Sequence, residues 1–154
     1  MLHVNERYVD ETRDEKGNVV DYQYKYPENF NFAYDVVDAI AEAEPGRRAM
    51  IWCNPCGEEH VFTYGDLKRY SDKTANMLRA KGIGKGDMVM VVLKRHYQFW
   101  FTILALHKLG AVIIPATFLL TKHDIVYRVN SASVKAVICT GPVSYTHLTL
   151  PTIA

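Results

Sequence analysis

The chain has 154 residues, 49% of them hydrophobic, and 18 basic residues balance 17 acidic ones to a formal net charge of +1. This length fits one domain or part of a larger one, the apolar share supports a core, and the balanced charge argues against nucleic-acid binding. The first residues lack a signal-peptide pattern, and the apolar stretch 99–120 is too interrupted to span a bilayer. Three cysteines indicate no disulfide scaffold. Together these observations predict a cytoplasmic protein.

Residues 1–30 are polar and mildly acidic, and we expect a peripheral extension with a turn at residues 14–18. A helix is predicted to begin near Phe32, capped by Asn31, because Phe32, Val36 and Ile40 recur at helical spacing. Pro45 and the glycine after it should end this helix.

Two short strands and a long helix come next in the predicted order. Residues 49–53 and 60–64 flank a polar turn and predict a β-hairpin. Residues 64–81 place their apolar side chains on one helical face, and Gly82 should end that helix in the left-handed conformation.

Three apolar strands then alternate with two helices. The strands are predicted at residues 88–93, 111–116 and 134–139, and the helices at residues 96–109 and 121–130, the second capped by Thr121. Short loops and crossover connections make the three strands parallel in one sheet. The fold class is therefore α/β: a short hairpin followed by a β-α-β-α-β parallel sheet with flanking helices, in which the aromatic-rich helix 96–109 packs against the sheet.

The glycine-rich segment 82–87 has two interpretations. It could be a phosphate loop, but such a loop must follow a strand and open a helix so that phosphate meets the helix N-terminus. Here the glycines follow a helix and open a strand, so we favour a turn and helix cap.

The sequence Trp-Cys-Asn-Pro-Cys, which ends at Cys56, also permits more than one interpretation. A thioredoxin-like redox site needs Cys53 at a helix N-terminus, and no long helix is predicted there. Zinc could take Cys53, Cys56 and His60 as ligands, but no fourth ligand is evident because Cys139 lies in a distant strand. We favour a polar turn with neither role.

Residues 94–96, Lys-Arg-His, follow the first sheet strand, and Thr117 follows the second. Ligands of open α/β sheets bind at the carboxyl ends of strands, so these residues could face a ligand crevice. The interpretation that we favour is that Lys94 and Arg95 are solvated loop charges and His96 an ordinary residue near the helix start.

Several segments in order resemble the early part of adenylate-forming enzymes, most closely the medium-chain acyl-CoA synthetases. They are NFNFAYDVVD from Asn29, FTYGDL from Phe62, AKGIGKGDMVMVVLKR from Ala80, LHKLGAVIIPAT from Leu106 and HDIVYR from His123. The resemblance covers roughly residues 30–140 and implies a ligase that activates a carboxylic acid with ATP and Mg²⁺ and transfers the acyl group to CoA. The family's phosphate loop, acidic ribose-binding residue and catalytic lysine have no counterpart here, so no catalytic, cofactor-binding or metal residue is assigned.

The resemblance divides the chain into three parts. Residues 1–30 form the extension, residues 31–141 the N-terminal fragment of an AMP-binding domain, and residues 142–154 a tail that breaks the pattern. Back-translation of residues 143–152 resembles a transposon-type sequencing adapter, so we expect a non-native tail; a native loop rich in Thr and Pro is the alternative. Because the family's catalytic motifs have no counterpart here, we expect the fragment to be inactive. Alternative functions are an aromatic-acid CoA ligase of the same superfamily, or a non-catalytic α/β binding module if the C-terminus is genuine.

Overall fold

The computed structural model describes residues 4–141. These residues fall into two compact units, with the boundary between Lys68 and Arg69. The fold class predicted from the sequence, an α/β arrangement with a parallel sheet and flanking helices, is confirmed.

The first unit begins with a short helix and a hairpin. Helix α1 covers Asn5–Tyr8, and strands β1 (Val9–Arg13) and β2 (Val19–Tyr24) pair antiparallel. The predicted turn lies between them, where the Asp14 carboxylate accepts from the backbone N–H of Lys16 at 2.9 Å and of Asn18 at 2.8 Å. The sequence predicted the turn but not the paired strands, because neither strand has an alternating buried face.

A π-helix at Phe32–Asp38 leads directly into α2 at Ala39–Ala43. The Asn31 side chain accepts from the backbone N–H of Ala33 at 3.0 Å, which confirms the predicted N-cap. The sequence predicted one continuous helix here, and the correction concerns its first part, which is wound with i→i+5 hydrogen bonds.

Strands β3 (Arg48–Cys53) and β4 (Glu59–Thr63) form the second hairpin, as predicted. The turn between them is held by Asn54, whose side-chain oxygen accepts from the backbone N–H of Cys56 and of Glu58, both at 3.0 Å. An Asx turn of this kind lets a short polar segment reverse the chain.

The second unit is the predicted parallel sheet. Helix α3 covers Tyr64–Ala80, and its residues from Arg69 onward belong to this unit. Helix α4 covers Gln98–Leu109 and α5 Lys122–Ser131. The strands are β5 (Met88–Val92), β6 (Val112–Pro115) and β7 (Ala136–Cys139). The strand order is β6-β5-β7, and both pairings are parallel. The chain therefore runs from β5 to one neighbour and then crosses to the other.

Strand β5 is the centre of this unit, and its side chains alternate between two clusters. Val89 and Val91 pack with residues of α3 and α4, among them Leu78 and Leu106, while Met90 lies in a second cluster with Val129 of α5. Val89, Met90 and Val91 are fully buried. A strand covered on both faces is the expected result of a continuous apolar run.

One residue of α4 departs from the prediction that this aromatic-rich helix packs against the sheet. Phe101 and Leu104 are buried, but Trp100 is 52% exposed, with its ring edge-on to Phe99 at 5.6 Å between centroids. Because each helical residue is rotated by about 100°, Trp100 lies off the buried face that Phe101 defines.

Candidate functional site

A network of hydrogen bonds closes the amino edge of the sheet. The Asp87 carboxylate accepts from the backbone N–H of Gly84 and from Lys135 Nζ, both at 2.7 Å. Lys135 Nζ also donates to the carbonyl of Gly82 at 2.7 Å. The hydrogen bond from Lys135, followed by that from Gly84, lowers the pKa of Asp87 below its ordinary value. The carboxylate is therefore held ionised as a structural group.

The glycines of segment 82–87 form the turn at the amino edge of the sheet. Gly82 has φ +83°, and the next backbone N–H, of Ile83, donates to Leu78 at 3.0 Å, which ends α3. The Gly86 N–H donates to the carbonyl of Gly110 at 2.9 Å. Since the segment caps a helix C-terminus and opens β5, the turn-and-cap interpretation is confirmed and the phosphate-loop alternative is wrong.

The carboxyl edge is open and cationic by contrast. Lys94, Arg95 and His96 follow β5 and are all exposed, as expected for solvated loop charges. Lys94 Nζ lies 4.4 Å from the ring centroid of Phe118, which follows β6, so the two predicted loop segments do meet at this edge. Thr117 accepts from the Leu119 N–H at 3.2 Å and so stabilises its own loop.

The topology places this edge where open α/β sheets bind ligands. The connection that leaves β5 runs to β6 on one side, whereas the connection that leaves β6 crosses β5 to reach β7 on the other side. Such a divergence opens a crevice. Val92 and Cys139 are register partners there, and burial raises the pKa of the Cys139 thiol. Cys139 packs against the cluster formed by Met90 and Val92.

The cysteine-containing hairpin does not have the geometry of a redox site. Cys53 ends β3, Cys56 lies in the following turn, and both are exposed free thiols. No helix begins at Cys56, so the dipole that thioredoxin-like chemistry needs is missing and that alternative is wrong. Within residues 4–141, no three or more His, Cys, Asp or Glu side chains are grouped as a metal site requires, which gives the zinc alternative no support.

Helix α4 carries two titratable groups that sequence reasoning did not single out. Burial lowers the pKa of His107. The Lys108 side chain is 2% exposed, and its ammonium lies 2.7 Å from a carboxylate oxygen of Asp72 on α3. A lysine that interrupts an apolar stretch was a visible signal, but its partner lies 36 positions away and has no local sequence signature.

In the part of the chain that the structure describes, no helix is both long enough and apolar enough to cross a membrane.

An open parallel α/β sheet with a closed amino edge and an exposed carboxyl edge defines a class of ligand-binding α/β domains. Within that class, residues 37–152 match the family described as AMP-binding enzyme, and the chain belongs to this family. The resemblance to adenylate-forming enzymes read from the sequence is thereby confirmed.

The relatives agree with this assignment. Over 118 residues the chain is 41% identical to "Acyl-coenzyme A synthetase ACSM5, mitochondrial" of Rattus norvegicus, an alignment that covers 73% of this chain and 20% of that protein. Among solved structures, a benzoate CoA ligase from Burkholderia xenovorans LB400 is similar with a TM-score of 0.65 and 27% identity, covering 75% of this chain and 22% of that one. A Mycobacterium tuberculosis fatty acyl CoA synthetase shares the fold with a TM-score of 0.67 and 24% identity, covering 75% of this chain and 22% of that one. The chain thus spans about a fifth of the length of the curated relatives that it matches.

Proposed function

We propose that the whole protein is an ATP-dependent acyl-CoA synthetase for a short- or medium-chain carboxylic acid. The observation that carries this proposal is the family match over residues 37–152, together with 41% identity to an acyl-coenzyme A synthetase. One of the structures that it resembles is a benzoate CoA ligase.

The reaction has two steps. A carboxylate oxygen forms a bond to the α-phosphorus of ATP as the bond to pyrophosphate breaks, giving an acyl-adenylate. The sulfur of CoA then bonds to the acyl carbon, AMP leaves, and the thiol proton passes to solvent or a base. Because a carboxylate must approach an anionic phosphate, catalysis rests on positioning and on neutralising charge, which Mg²⁺ supplies when bound.

The residues of this chain contribute a scaffold to that chemistry. Asp87 and Lys135 close the amino edge of the sheet, and the carboxyl edge exposes Lys94, Arg95 and His96. The motifs that resemblance assigns to nucleotide binding and catalysis are not found in this chain. We therefore propose that the 154-residue chain alone has no ligase activity.

Two assays test these proposals separately. ATP–pyrophosphate exchange with octanoate should be undetectable for the 154-residue chain, while an acyl-CoA synthetase of established octanoate activity serves as the positive control. Exchange above background by the chain would contradict the proposed inactivity. For the whole protein, sequencing the source gene past the codon for Thr140 should show an open reading frame that continues and encodes a Ser/Thr/Gly-rich loop ending in lysine. Absence of such a frame would instead support the non-catalytic binding module.

An aromatic-acid CoA ligase is the second candidate, since the fold matches a benzoate CoA ligase with a TM-score of 0.65. Thioester formation by the whole protein with octanoate and with benzoate, at equal concentrations, separates the two. Faster turnover of octanoate supports the medium-chain proposal, and faster turnover of benzoate supports the aromatic-acid ligase.

We also propose a cytoplasmic location, supported by a cysteine content that indicates no disulfide scaffold. The named rat relative is described as mitochondrial. Subcellular fractionation with an antibody against residues 10–24 distinguishes these locations, and recovery in mitochondria would overturn the proposal.

A further inference from the structure

An aromatic pocket lies in the first unit, among residues that precede the family match at residue 37. Its volume is about 540 Å³, within the range of small-molecule sites. Three valines line it together with five aromatic side chains: Tyr8, Tyr24, Tyr26, Phe30 and Phe32.

The aromatic rings that line the pocket are inclined to one another and are not stacked in parallel. The planes of Tyr8 and Phe30 are inclined by 69° with centroids 5.0 Å apart, and those of Tyr26 and Phe30 by 51° at 6.1 Å. Tyr24 continues the series, inclined to Tyr26 by 54° at 6.5 Å. Inclined rings around one space can present several π faces to a single guest.

Water has wide access to these rings. Tyr24 is 66% exposed, Tyr26 62% and Phe32 48%. A group of exposed aromatic side chains on adjoining elements is costly to leave in water and marks an interaction site more often than a random surface. The walls are almost entirely carbon, so a guest finds few hydrogen-bond partners there.

The segment around the pocket is acidic. Residues 4–36 contain eight acidic and four basic residues, a net charge of −4, whereas the whole chain carries +1. Asp10 and Asp35 adjoin the pocket residues Val9 and Val36 in sequence, although Asp10 is paired with Lys25. The surrounding potential therefore favours a cationic guest.

We propose that this pocket binds an organic cation with an N-methylated, quaternary ammonium group. A quaternary ammonium has no N–H donor, so a carbon-walled pocket leaves none of its groups unsatisfied, and its charge is attracted to aromatic faces. A primary ammonium would lose hydrogen bonds to water without replacement. This inference does not depend on the proposed ligase activity.

Choline and its neutral isostere 3,3-dimethylbutan-1-ol test the proposal, because they share a shape and differ in charge. Each is titrated into the complete 154-residue chain and binding is followed by ligand-observed NMR. We expect choline to bind about tenfold more tightly than the neutral alcohol, from cation–π attraction over several rings. Equal affinities would overturn the proposal and identify a plain apolar pocket, and absence of choline binding would overturn it as well.

Substitutions of single tyrosines test which aromatic rings contribute to choline binding. Tyr26→Leu keeps an apolar side chain but removes the π face, so it should weaken choline binding about threefold to fivefold and leave the weak affinity for the alcohol unchanged. Tyr24→Leu should act in the same way, while Tyr127→Leu, at an exposed position on α5, is the matched control. Far-UV circular dichroism confirms that each variant is folded. Unchanged choline affinity in both folded pocket variants would refute the proposal.

Discussion

The buried lysine of α4 gives the sharpest prediction about stability. Lys108 Nζ lies 2.7 Å from Asp72 Oδ1, with the lysine side chain 2% exposed and the aspartate side chain 46% exposed. At an effective dielectric of about 20, two unit charges at this separation attract by about 6 kcal/mol. Desolvation of the ammonium costs several kcal/mol, so the intact pair is close to neutral relative to an apolar residue of the same size.

Removing only one charge should therefore have unequal effects. Asp72→Asn keeps the shape but removes the negative charge beside the buried ammonium, and we expect a loss of about 2 kcal/mol, reduced from about 3–5 because Asp72 is half exposed. Lys108→Met removes the charge that needed compensation and should change the free energy of unfolding by less than about 1 kcal/mol.

Urea denaturation of the 154-residue chain, followed by circular dichroism at low micromolar concentration, measures these differences. With an m-value of about 2 kcal/mol/M, Asp72→Asn lowers the midpoint by about 1 M, while the exposed control Lys73→Met on α3 leaves it unchanged. In the Lys108→Met background, Asp72→Asn should have almost no further effect. If Asp72→Asn is equally destabilising in both backgrounds, the two residues are not coupled and the reasoning is wrong.

Three further predictions concern the ends of helices and strands. Because the pKa of Asp87 is lowered in the folded chain, its carboxylate contributes stability that is present above about pH 4 and is lost as the pH falls further. Urea midpoints measured between pH 5 and 3 should therefore fall more steeply for the unaltered chain than for Asp87→Asn. Parallel curves would contradict this. Thr121→Ala should lower the free energy of unfolding by about 1 kcal/mol because the capping box of α5 is lost, and Thr121→Ser should restore most of it in the same urea titration. Gly110→Ala should lower the free energy of unfolding by about 1–2 kcal/mol, because φ is +67° and a Cβ would lie 3.2 Å from Lys85 Cγ. The control Gly46→Ala, at an open position, should have little effect. Similar losses for both variants would argue against backbone strain at Gly110.

Local chemistry made the second unit predictable from its sequence. The apolar run of β5 indicates a strand covered on both faces, and glycines with positive φ follow α3 and α4 where the sequence places helix ends. Thr121 and Asn31 cap helices as their side chains allow at those positions. Each of these features depends on a few neighbouring residues, so the sequence is sufficient to identify them.

Other features depend on residues that are distant in sequence or on small differences in winding. The predicted α-helical face began with Phe32 and Val36, but the π-helix buries Ala33 and Val37 and leaves Phe32 48% exposed. The change of hydrogen-bond partner alters the angle between successive side chains and so alters which of them are buried. Strands β1 and β2 have no buried face, so only backbone pairing reveals them. The sequence placed Lys94 and Thr117 at one edge of the sheet, but the cation–π contact between Lys94 and Phe118 is a three-dimensional finding.

The central position of β5 has a consequence for how the sheet assembles in time. Its residue Met88 pairs with Val112, 24 positions later, whereas Val89 pairs with Ala136, 47 positions later. Closing the longer loop costs only about 0.6 kcal/mol more, so loop entropy barely favours one pairing order over the other. The nucleus is then decided by side-chain packing, and β5 should be the last strand to release its amide protons to solvent in hydrogen exchange, with β6 and β7 opening before it.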